Sequence, residues 1–332
     1  MFNISNTDII KFANLKNKYI LITGATGFVG LWFIKLLKYL NDNYNFSITI
    51  YAVARNKNNL FSEMFSSDNK IHFLPSDVRN QLNIPNNINY IIHAASSTDN
   101  RYYMSNPIEA IDIITKGTKN IFDISLSLEN LEKIVLLSSG QVYGKVNNDS
   151  INEYTFGPMS CENISSFYPE AKRYSETIAS AYRSLYKLPV SIIRLFSFIG
   201  PLMSLDKPWA INNFVRDALK TKEIRILGNG KPIRSYMYPT DMAISILHIL
   251  LNKNTWSTYN LGSDVGYSLE DIAVQIKKII GNDVKIKILN LNDDKSIFVP
   301  NIEKLKNEFG IDIQTNIEKI LFNSIKWFEK TL

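Results

Sequence analysis

Tyr168 and Lys172 are four residues apart in a segment with a helical pattern, Tyr168-Pro169-Glu170-Ala171-Lys172. Positions i and i+4 share one face of a helix. An ammonium group beside a phenol favours the phenolate and so lowers the pKa of the phenol from about 10. A phenol activated in this way can take a proton from a hydroxyl group near neutral pH. The same spacing also occurs on solvated helix faces, so the pair alone leaves both interpretations open.

A glycine-rich segment, Gly24 to Gly30 (GATGFVG), follows an apolar run and precedes a helical pattern. Small residues let the backbone turn tightly and approach a pyrophosphate, whose charge is stabilised at a helix N-terminus. Such a segment can also be an ordinary turn, but a preceding strand and a following helix favour dinucleotide binding. The predicted contact residues are Gly24, Thr26, Gly27, Phe28, Val29 and Gly30.

Two hydroxyl groups end another apolar run, in the sequence SSGQVYG from Ser138 to Gly144. If the run is a strand of a parallel sheet, its carboxyl end faces the crevice in which ligands bind. The sequence therefore places Ser138 and Ser139 near the predicted dinucleotide turn.

Short apolar runs alternate with helical patterns through the first half of the chain. The predicted strands are Tyr19–Thr23, Ile48–Ala54, Ile71–Leu74, Tyr90–Ala94, Lys133–Ser138 and Val190–Phe196. The predicted helices include Ile108–Phe122, Phe167–Leu185, Asp241–Leu251, Leu269–Ile280 and Ile317–Phe328. This alternation predicts an α/β fold with a doubly wound parallel sheet and right-handed crossovers.

The order of elements loosens after about residue 197, where prolines and glycines are frequent. We expect a sheet domain formed by residues 1–196 with about 233–262. The remaining segments, about 197–232 and 263–332, are expected to form a smaller mixed α/β lobe.

Composition narrows the class of protein. The 332 residues are 45% hydrophobic and 20% charged, which indicates a globular chain and not a disordered one. The net charge of +6 is spread without a Lys/Arg block, so no nucleic-acid partner is expected. A single cysteine, Cys161, and three scattered histidines argue against a disulfide framework and a metal site. No apolar run approaches the ~20 residues of a membrane span, and we expect a cytoplasmic protein.

In their order along the chain, these motifs resemble the extended short-chain dehydrogenase/reductases, and specifically the nucleotide-sugar epimerase/dehydratase family. The G-x-x-G-x-x-G spacing is that of the superfamily, and Ser138 to Gly144 resembles the family's S-[ST]-x-x-V-Y-G. Ser139 stands where the family has its catalytic Ser or Thr, and Tyr168 follows Ser139 by 29 residues.

Further fragments extend the resemblance over nearly the whole chain. They are Ile92 to Ala95, which resembles the family's H-x-A-A, Asp77-Val78, Pro107 with Gly117-Thr118, Arg194 to Pro201, Gly228 to Arg234 with Tyr238 to Asp241, and Asn260 to Ser263. The family fold is a Rossmann-type sheet with a lobe that binds the nucleotide sugar. His93 is expected to end a strand and to support the fold.

The resemblance implies an enzyme that transfers hydride at C4 of a nucleotide-diphosphate sugar, with NAD or NADP as cofactor. Tyr168 is then the base, Lys172 lowers its pKa and binds the nicotinamide ribose, and Ser139 bonds to the reacting oxygen. The additional cofactor contacts implied are Arg55, Asp77, Val78, Ala94, Ala95 and Ser96. The implied substrate contacts are Ser139, Gln141, Ser197 and Arg234. The family pairs through the helix of the Tyr/Lys motif and the long helix before it, which implies a homodimer.

Departures from the family pattern bear on the reaction. Family 4,6-dehydratases usually carry an acid pair directly after the catalytic Ser or Thr, whereas this chain has Gly140 and Gln141. A 4-epimerase or a 4-keto reductase is therefore expected, with a 4,6-dehydratase as the alternative. A non-catalytic NAD(P)-binding sensor or scaffold is the alternative of another class. Two family asparagines are replaced, by Ile114 and Ser197.

Cofactor choice depends on the end of the second predicted strand. An acidic residue there binds the ribose 2′-hydroxyl of NAD, whereas an arginine accommodates the 2′-phosphate of NADP. The sequence Ala52-Val53-Ala54-Arg55 has no acid. It favours NADP, unless Arg55 stacks on the adenine or only caps the strand.

Overall fold

The structure is a computed structural model and describes residues 2–96, 98–146, 150–252, 256–292, 295–313 and 315–331. The chain forms two compact units. The first consists of Met1–Val142, Ser160–Arg194 and Ala243–Tyr259, and the second of Tyr143–Met159, Leu195–Met242 and Asn260–Leu332. Segments 143–159 and 233–242 thus belong to the second unit. Compact units need not coincide with functional domains, so the expected domain boundaries stay a prediction.

The strands are β1 (Tyr19–Thr23), β2 (Thr49–Ala54), β3 (Ile71–Pro75), β4 (Tyr90–His93), β5 (Lys133–Ser139), β6 (Val190–Leu195), β7 (Glu223–Ile226), β8 (Ile233–Ser235), β9 (Thr258–Leu261), β10 (Gly266–Ser268), β11 (Lys285–Ile288) and β12 (Ile297–Phe298). The helices are α1 (Asn6–Phe12), α2 (Phe28–Tyr44), α3 (Asn59–Phe65), α4 (Asn100–Ser105), α5 (Pro107–Ser125), α6 (Phe167–Tyr186), α7 (Ala210–Thr221), α8 (Pro239–Leu251), α9 (Leu269–Ile280), α10 (Glu303–Phe309) and α11 (Ile317–Thr331).

A seven-stranded sheet has the order β3-β2-β1-β4-β5-β6-β9. The pairs from β3 to β5 are parallel, with β1 between β2 and β4. Strands β4 and β5 are buried almost throughout because helices cover both faces of such a sheet. The strand order reverses between β1 and β4, and ligands of doubly wound sheets bind at the carboxyl ends of strands at that point. The predicted α/β fold class is confirmed.

Helices α5 and α6 pack against each other on the sheet. Their buried faces join an apolar core that includes Leu21, Ile91, Ile134, Phe122 and Ala179. Helix α5 begins at a proline in its first turn, where the missing N–H costs no hydrogen bond. The Tyr/Lys motif lies inside α6, so Tyr168 and Lys172 are one helical turn apart, as predicted.

The second unit contains two small sheets, β10-β8-β12 and β11-β7. Helices α7 and α9 pack against each other and against β7. Helix α9 has the predicted bounds and starts at a capping box, in which Ser268 and Asp271 bond reciprocally to backbone N–H groups.

Across the described ranges, every helix is too short or too polar to cross a membrane.

Candidate active site

The turn between β1 and α2 is shaped by two glycines that approach other backbone closely. Gly24 has φ +66°, and a Cβ there would lie 2.7 Å from the carbonyl oxygen of Ala94. A Cβ on Gly30 would lie 2.5 Å from the oxygen of Gly24. Gly27 caps α2 without a side-chain bond, which leaves first-turn N–H groups for an anion. This cradle fits the pyrophosphate of a dinucleotide, which Gly24 to Gly30 would hold.

A buried hydrogen-bond network behind the turn fixes the tautomer of His93. The Thr23 hydroxyl oxygen accepts the N–H groups of Ala94 and Ala95 at 3.2 and 3.3 Å. These two bonds use both of its lone pairs, so its proton is donated to His93 Nδ1, 2.7 Å away. The Nδ1 atom is therefore an acceptor, and the ring carries its proton on Nε2.

The other side of the His93 ring supports the same assignment. Nε2 lies 3.2 Å from the Thr118 hydroxyl oxygen, whose own proton is donated to the Ile114 carbonyl at 2.6 Å. Burial, and secondarily the charge of Lys172, lowers the pKa of His93 to about 3. His93 is thus a neutral link between β1, β4 and α5, as expected of a residue that supports the fold.

The structure brings together the three predicted catalytic residues. Ser139 is the last residue of β5, Tyr168 is the second residue of α6, and Lys172 lies one turn later. Tyr168 and Lys172 are 3% and 5% exposed. Hydrogen bonds from Ser139 and Ser96 reach the Tyr168 phenol and favour its phenolate. The Lys172 ammonium donates to the Leu137 carbonyl of β5 at 2.9 Å.

The electrostatics of the trio differ from the prediction. Burial raises the pKa of Tyr168 to about 12 against the two serine hydrogen bonds, and the neighbouring Tyr103 adds to the rise. The Tyr103 ring stacks on Tyr168, with centroids 5.0 Å apart. Burial also lowers the pKa of Lys172 to about 8, while Glu176 opposes that shift. The pKa of Tyr168 is thus raised in this structure and not lowered as predicted, because desolvation of the phenol outweighs the groups that favour the phenolate.

The two positions after Ser139 carry no titratable side chain. Gly140 starts a short 3-10 turn, and the backbone N–H of Gln141 donates to the Ser139 hydroxyl oxygen at 3.2 Å. The Gln141 side chain is exposed. The turn therefore orients Ser139 but offers neither an acid nor a base.

A charged cluster lies beyond the ends of β2 and β3. Asp77 accepts two bonds from the Arg79 guanidinium, at 2.9 and 2.7 Å, and these hold the pKa of Asp77 below its usual value. The exposed Arg55 lies 3.3 Å from Glu109 on α5, and Arg79 approaches the same oxygen at 3.5 Å. Val78 is buried. Arg79 and Glu109 were missed by sequence reasoning, although Arg79 directly follows the Asp77-Val78 pair.

The two expected contacts to the substrate nucleotide lie in the second unit. Ser197 is half-buried, and its carbonyl accepts the Met237 N–H at 3.0 Å. The Arg234 guanidinium donates to the Ile233 carbonyl at 2.8 Å and to both oxygens of Ser296, at 2.9 Å to the carbonyl and 2.8 Å to the hydroxyl. Ser296 was not anticipated from sequence, since it follows Arg234 by 62 residues.

Proteins of known structure and activity resemble the whole chain. UDP-glucuronic acid decarboxylase 1 of Xenopus tropicalis is 29% identical over 325 residues, which cover 97% of this chain and 75% of that protein. The UDP-glucuronic acid 4-epimerase of Bacillus cereus, solved with UDP-glucuronic acid and NAD, superposes with a TM-score of 0.79 at 19% identity and covers 95% of this chain and 100% of its own. The dTDP-glucose 4,6-dehydratase of Bacillus anthracis, in complex with NAD, has a TM-score of 0.77 at 23% identity and covers 94% and 97%.

The family model of the NAD dependent epimerase/dehydratase family matches residues 20–262, which is more than half of the chain. This range includes the glycine turn, Ser139, Tyr168 and Lys172. The chain is therefore an enzyme of the extended short-chain dehydrogenase/reductase type and belongs to the NAD dependent epimerase/dehydratase family.

Proposed function

We propose that the protein acts by hydride transfer at C4 of a nucleotide-diphosphate sugar, as a 4-epimerase or a 4-keto reductase. The observation that carries the proposal is the buried phenol of Tyr168, hydrogen-bonded by Ser139, with Lys172 one turn away. The glycine cradle at the same end of the sheet fits the dinucleotide that such chemistry needs.

The three residues of the trio have different tasks. Tyr168 takes the proton from the C4 hydroxyl during oxidation and returns it during reduction. Ser139 donates a hydrogen bond to the reacting oxygen and stabilises the charge that develops there. The Lys172 ammonium favours the phenolate of Tyr168 and binds the cofactor ribose. When bound, the nicotinamide cofactor supplies the acceptor and donor of hydride.

A dehydratase is less well supported, because elimination across C5 and C6 needs an acid and a base beside the catalytic hydroxyl. Gly140 and Gln141 occupy those positions and do not titrate. A 4-epimerase and a 4-keto reductase need only Ser139, Tyr168 and Lys172.

Decarboxylation is a second candidate, favoured by the 29% identity to a UDP-glucuronic acid decarboxylase. When the C4 hydroxyl is oxidised to a ketone, a carboxylate attached to C5 becomes part of a β-keto acid. The bond between C5 and the carboxylate then breaks, CO₂ leaves, and the electron pair passes to the C4 oxygen as an enolate. In this proposal Ser139 and Tyr168 hydrogen-bond to that oxygen, and protonation at C5 followed by hydride return to C4 completes the reaction.

We propose a preference for NADP over NAD. Its support is the Arg55 side chain after β2 and a second guanidinium, Arg79, that approaches the same Glu109 oxygen. Guanidinium groups suit the geometry of a phosphate. The ratio of the dissociation constants for NAD and NADP tests the proposal. Arg55→Asp should weaken NADP binding and reverse the preference, and tighter binding of NAD by the wild-type protein would contradict it.

Product analysis separates the reactions. The protein is incubated with UDP-, dTDP-, GDP- and CDP-sugars, including hexuronic acids and 4-keto sugars, and the products are identified by NMR. A C4 stereoisomer indicates the epimerase, stoichiometric NADPH oxidation the reductase, and a nucleotide pentose the decarboxylase. A 4-keto-6-deoxy sugar would overturn the assignment from Gly140 and Gln141. Bound cofactor without any turnover would point to a sensor or scaffold.

We also propose that the protein works in the cytoplasm as a homodimer that pairs through α5 and α6. Large apolar side chains are exposed on these helices, namely Ile108, Leu185 and Tyr186, at 71%, 72% and 56%. With a single cysteine, Cys161, the chain cannot form an intramolecular disulfide and so does not need an oxidising compartment to form one.

A further inference from the structure

Glu176 lies on α6 four residues after Lys172 and eight after Tyr168, on the same face of the helix. Its side chain is only 12% exposed. The carboxylate accepts the Ser138 hydroxyl of β5 at 2.6 Å. It also accepts Nε and Nη2 of Arg194, on β6, at 3.1 and 2.6 Å. One carboxylate therefore connects the catalytic helix to two neighbouring strands.

These bonds tie the end of β5 to α6 at two consecutive residues. The Leu137 carbonyl accepts the Lys172 ammonium at 2.9 Å, and the Ser138 hydroxyl donates to Glu176. Ser139 follows directly and hydrogen-bonds Tyr168 on the same helix. The two attachments hold the hydroxyl of Ser139 in register with the phenol.

Glu176 also lies one helical turn from Lys172 on α6, close enough for its charge to act on the ammonium. Burial disfavours the ammonium, and the carboxylate opposes that effect. Three other titratable groups surround this pair. Arg183 on α6 interacts electrostatically with Glu176, Arg194 lies on β6, and His93 on β4 is neutral. Arg183 and Arg194 are cations, so the attraction that holds the proton on Lys172 comes from Glu176.

We propose that Glu176 is a positioning residue, which holds the end of β5 against α6 through Ser138 and keeps Lys172 in its ammonium form through its charge. The catalytic consequence rests on the proposed function. The effect on Lys172 does not, because it can be measured without a substrate.

The test compares Glu176→Gln with Ser138→Ala. Lysine labelled with ¹³C at Cε is incorporated, and the Lys172 signal is assigned by its loss in Lys172→Arg. The titration midpoint of Lys172 should fall by about one pH unit or more in Glu176→Gln, since a buried opposite charge one helical turn away is removed. Ser138→Ala removes the hydrogen bond but keeps the charge, so its midpoint should stay near that of the wild-type protein. An unchanged midpoint in folded Glu176→Gln would overturn the proposal.

Glu176→Asp keeps the charge on a shorter side chain and serves as the second variant. Its Lys172 midpoint should remain close to the wild-type value, while the weaker bond to Ser138 lowers kcat with little change in KM. A fall of a full pH unit in Glu176→Asp would contradict the role of the charge, even if Glu176→Gln does not fold. Activity that is wild-type in both Ser138→Ala and Glu176→Asp would contradict the positioning role.

Discussion

Burial and hydrogen bonding oppose each other at Tyr168, and burial has the larger effect on the pKa of its phenol. The same burial strengthens any charge placed nearby, because a dry site screens less. A charged Lys172 should therefore add to the two serine hydrogen bonds that favour the Tyr168 phenolate. The protonation state of Lys172 then matters as well as that of the phenol.

The buried, neutral His93 should make the free energy of unfolding depend on pH. Its pKa is about 3 in the folded chain and about 6.5 when unfolded. The unfolded state therefore binds a proton first, and the contribution of His93 to stability is complete above pH 6.5 and is lost as the pH falls towards 3. Each pH unit in this window should cost about 1.4 kcal/mol.

The matched variant is His93→Gln, whose amide can accept from Thr23 and donate to Thr118 without titrating. Denaturant unfolding at pH 7 and pH 5 should show a larger loss for the wild-type protein than for His93→Gln. Equal losses in the two proteins would show that His93 is not buried in its neutral form.

At the scale of elements, local sequence predicted most of what positions the site. Strand β1 and helix α9 have the predicted bounds, and the Tyr/Lys motif lies on the predicted helix. Periodicity and capping are local signals, so they can be found without knowing the fold. Helix α5 continues past its predicted end at Phe122 to Ser125, and in this added stretch Asp123 accepts a hydrogen bond from Tyr182 on α6, a contact that local sequence does not reveal.

Long-range partners of the site could not be predicted from sequence. The bond from Lys172 to the Leu137 carbonyl joins residues 35 apart, and that between Arg55 and Glu109 joins residues 54 apart. Sequence spacing gives no signal for such pairs, since only the packing of helices on the sheet brings them together. The pKa of Tyr168 was mispredicted for the same reason: the desolvation that dominates it depends on surroundings such as Tyr103.

The glycine turn offers a prediction with a matched control. Gly24→Ala and Gly310→Ala both place a side chain at positive φ, +66° and +67°, but only the former meets backbone atoms within 4 Å. The backbone strain alone costs about 1–2 kcal/mol at each site. Gly24→Ala should in addition lose most cofactor binding, because the loop after β4 must move away.

Thermal unfolding and the dissociation constant for the dinucleotide measure the two effects separately. Gly310→Ala should be destabilised but bind cofactor as the wild-type protein does. Normal cofactor affinity in Gly24→Ala would show that the glycine turn does not bind the cofactor.

At the scale of the whole molecule, one fold carries several reactions. An epimerase and a dehydratase superpose on this chain with TM-scores near 0.8, and a decarboxylase aligns with 97% of it. The reactions proposed for this chain all involve a ketone at C4. The shared fold therefore says more about hydride transfer at C4 than about the later step that decides the product. Gly140 and Gln141, directly after Ser139, are the residues on which the proposed choice among these reactions rests.

Assembly is the other property of the whole molecule, and the proposed dimer face makes it testable. Leu185→Glu puts a charge on an exposed position of α6 that a dimer would bury, so it should give a monomer in light scattering coupled to size exclusion. Leu227→Glu changes a leucine that is 58% exposed in the second unit and should leave the dimer intact. A wild-type monomer, or a dimer that persists in Leu185→Glu, would exclude pairing through this face.

In the proposed reaction Tyr168 moves the proton of the reacting hydroxyl. The most direct measurement compares Tyr168→Phe with Tyr103→Phe, each loaded with cofactor, on the activated sugar that the wild-type protein converts, with conversion at C4 followed by NMR. Both variants keep their aromatic rings and the stacking between them. Tyr168→Phe should bind cofactor normally and turn over about 10²–10⁴-fold more slowly, while Tyr103→Phe stays close to the wild-type rate. Turnover by Tyr168→Phe at the wild-type rate would contradict the account.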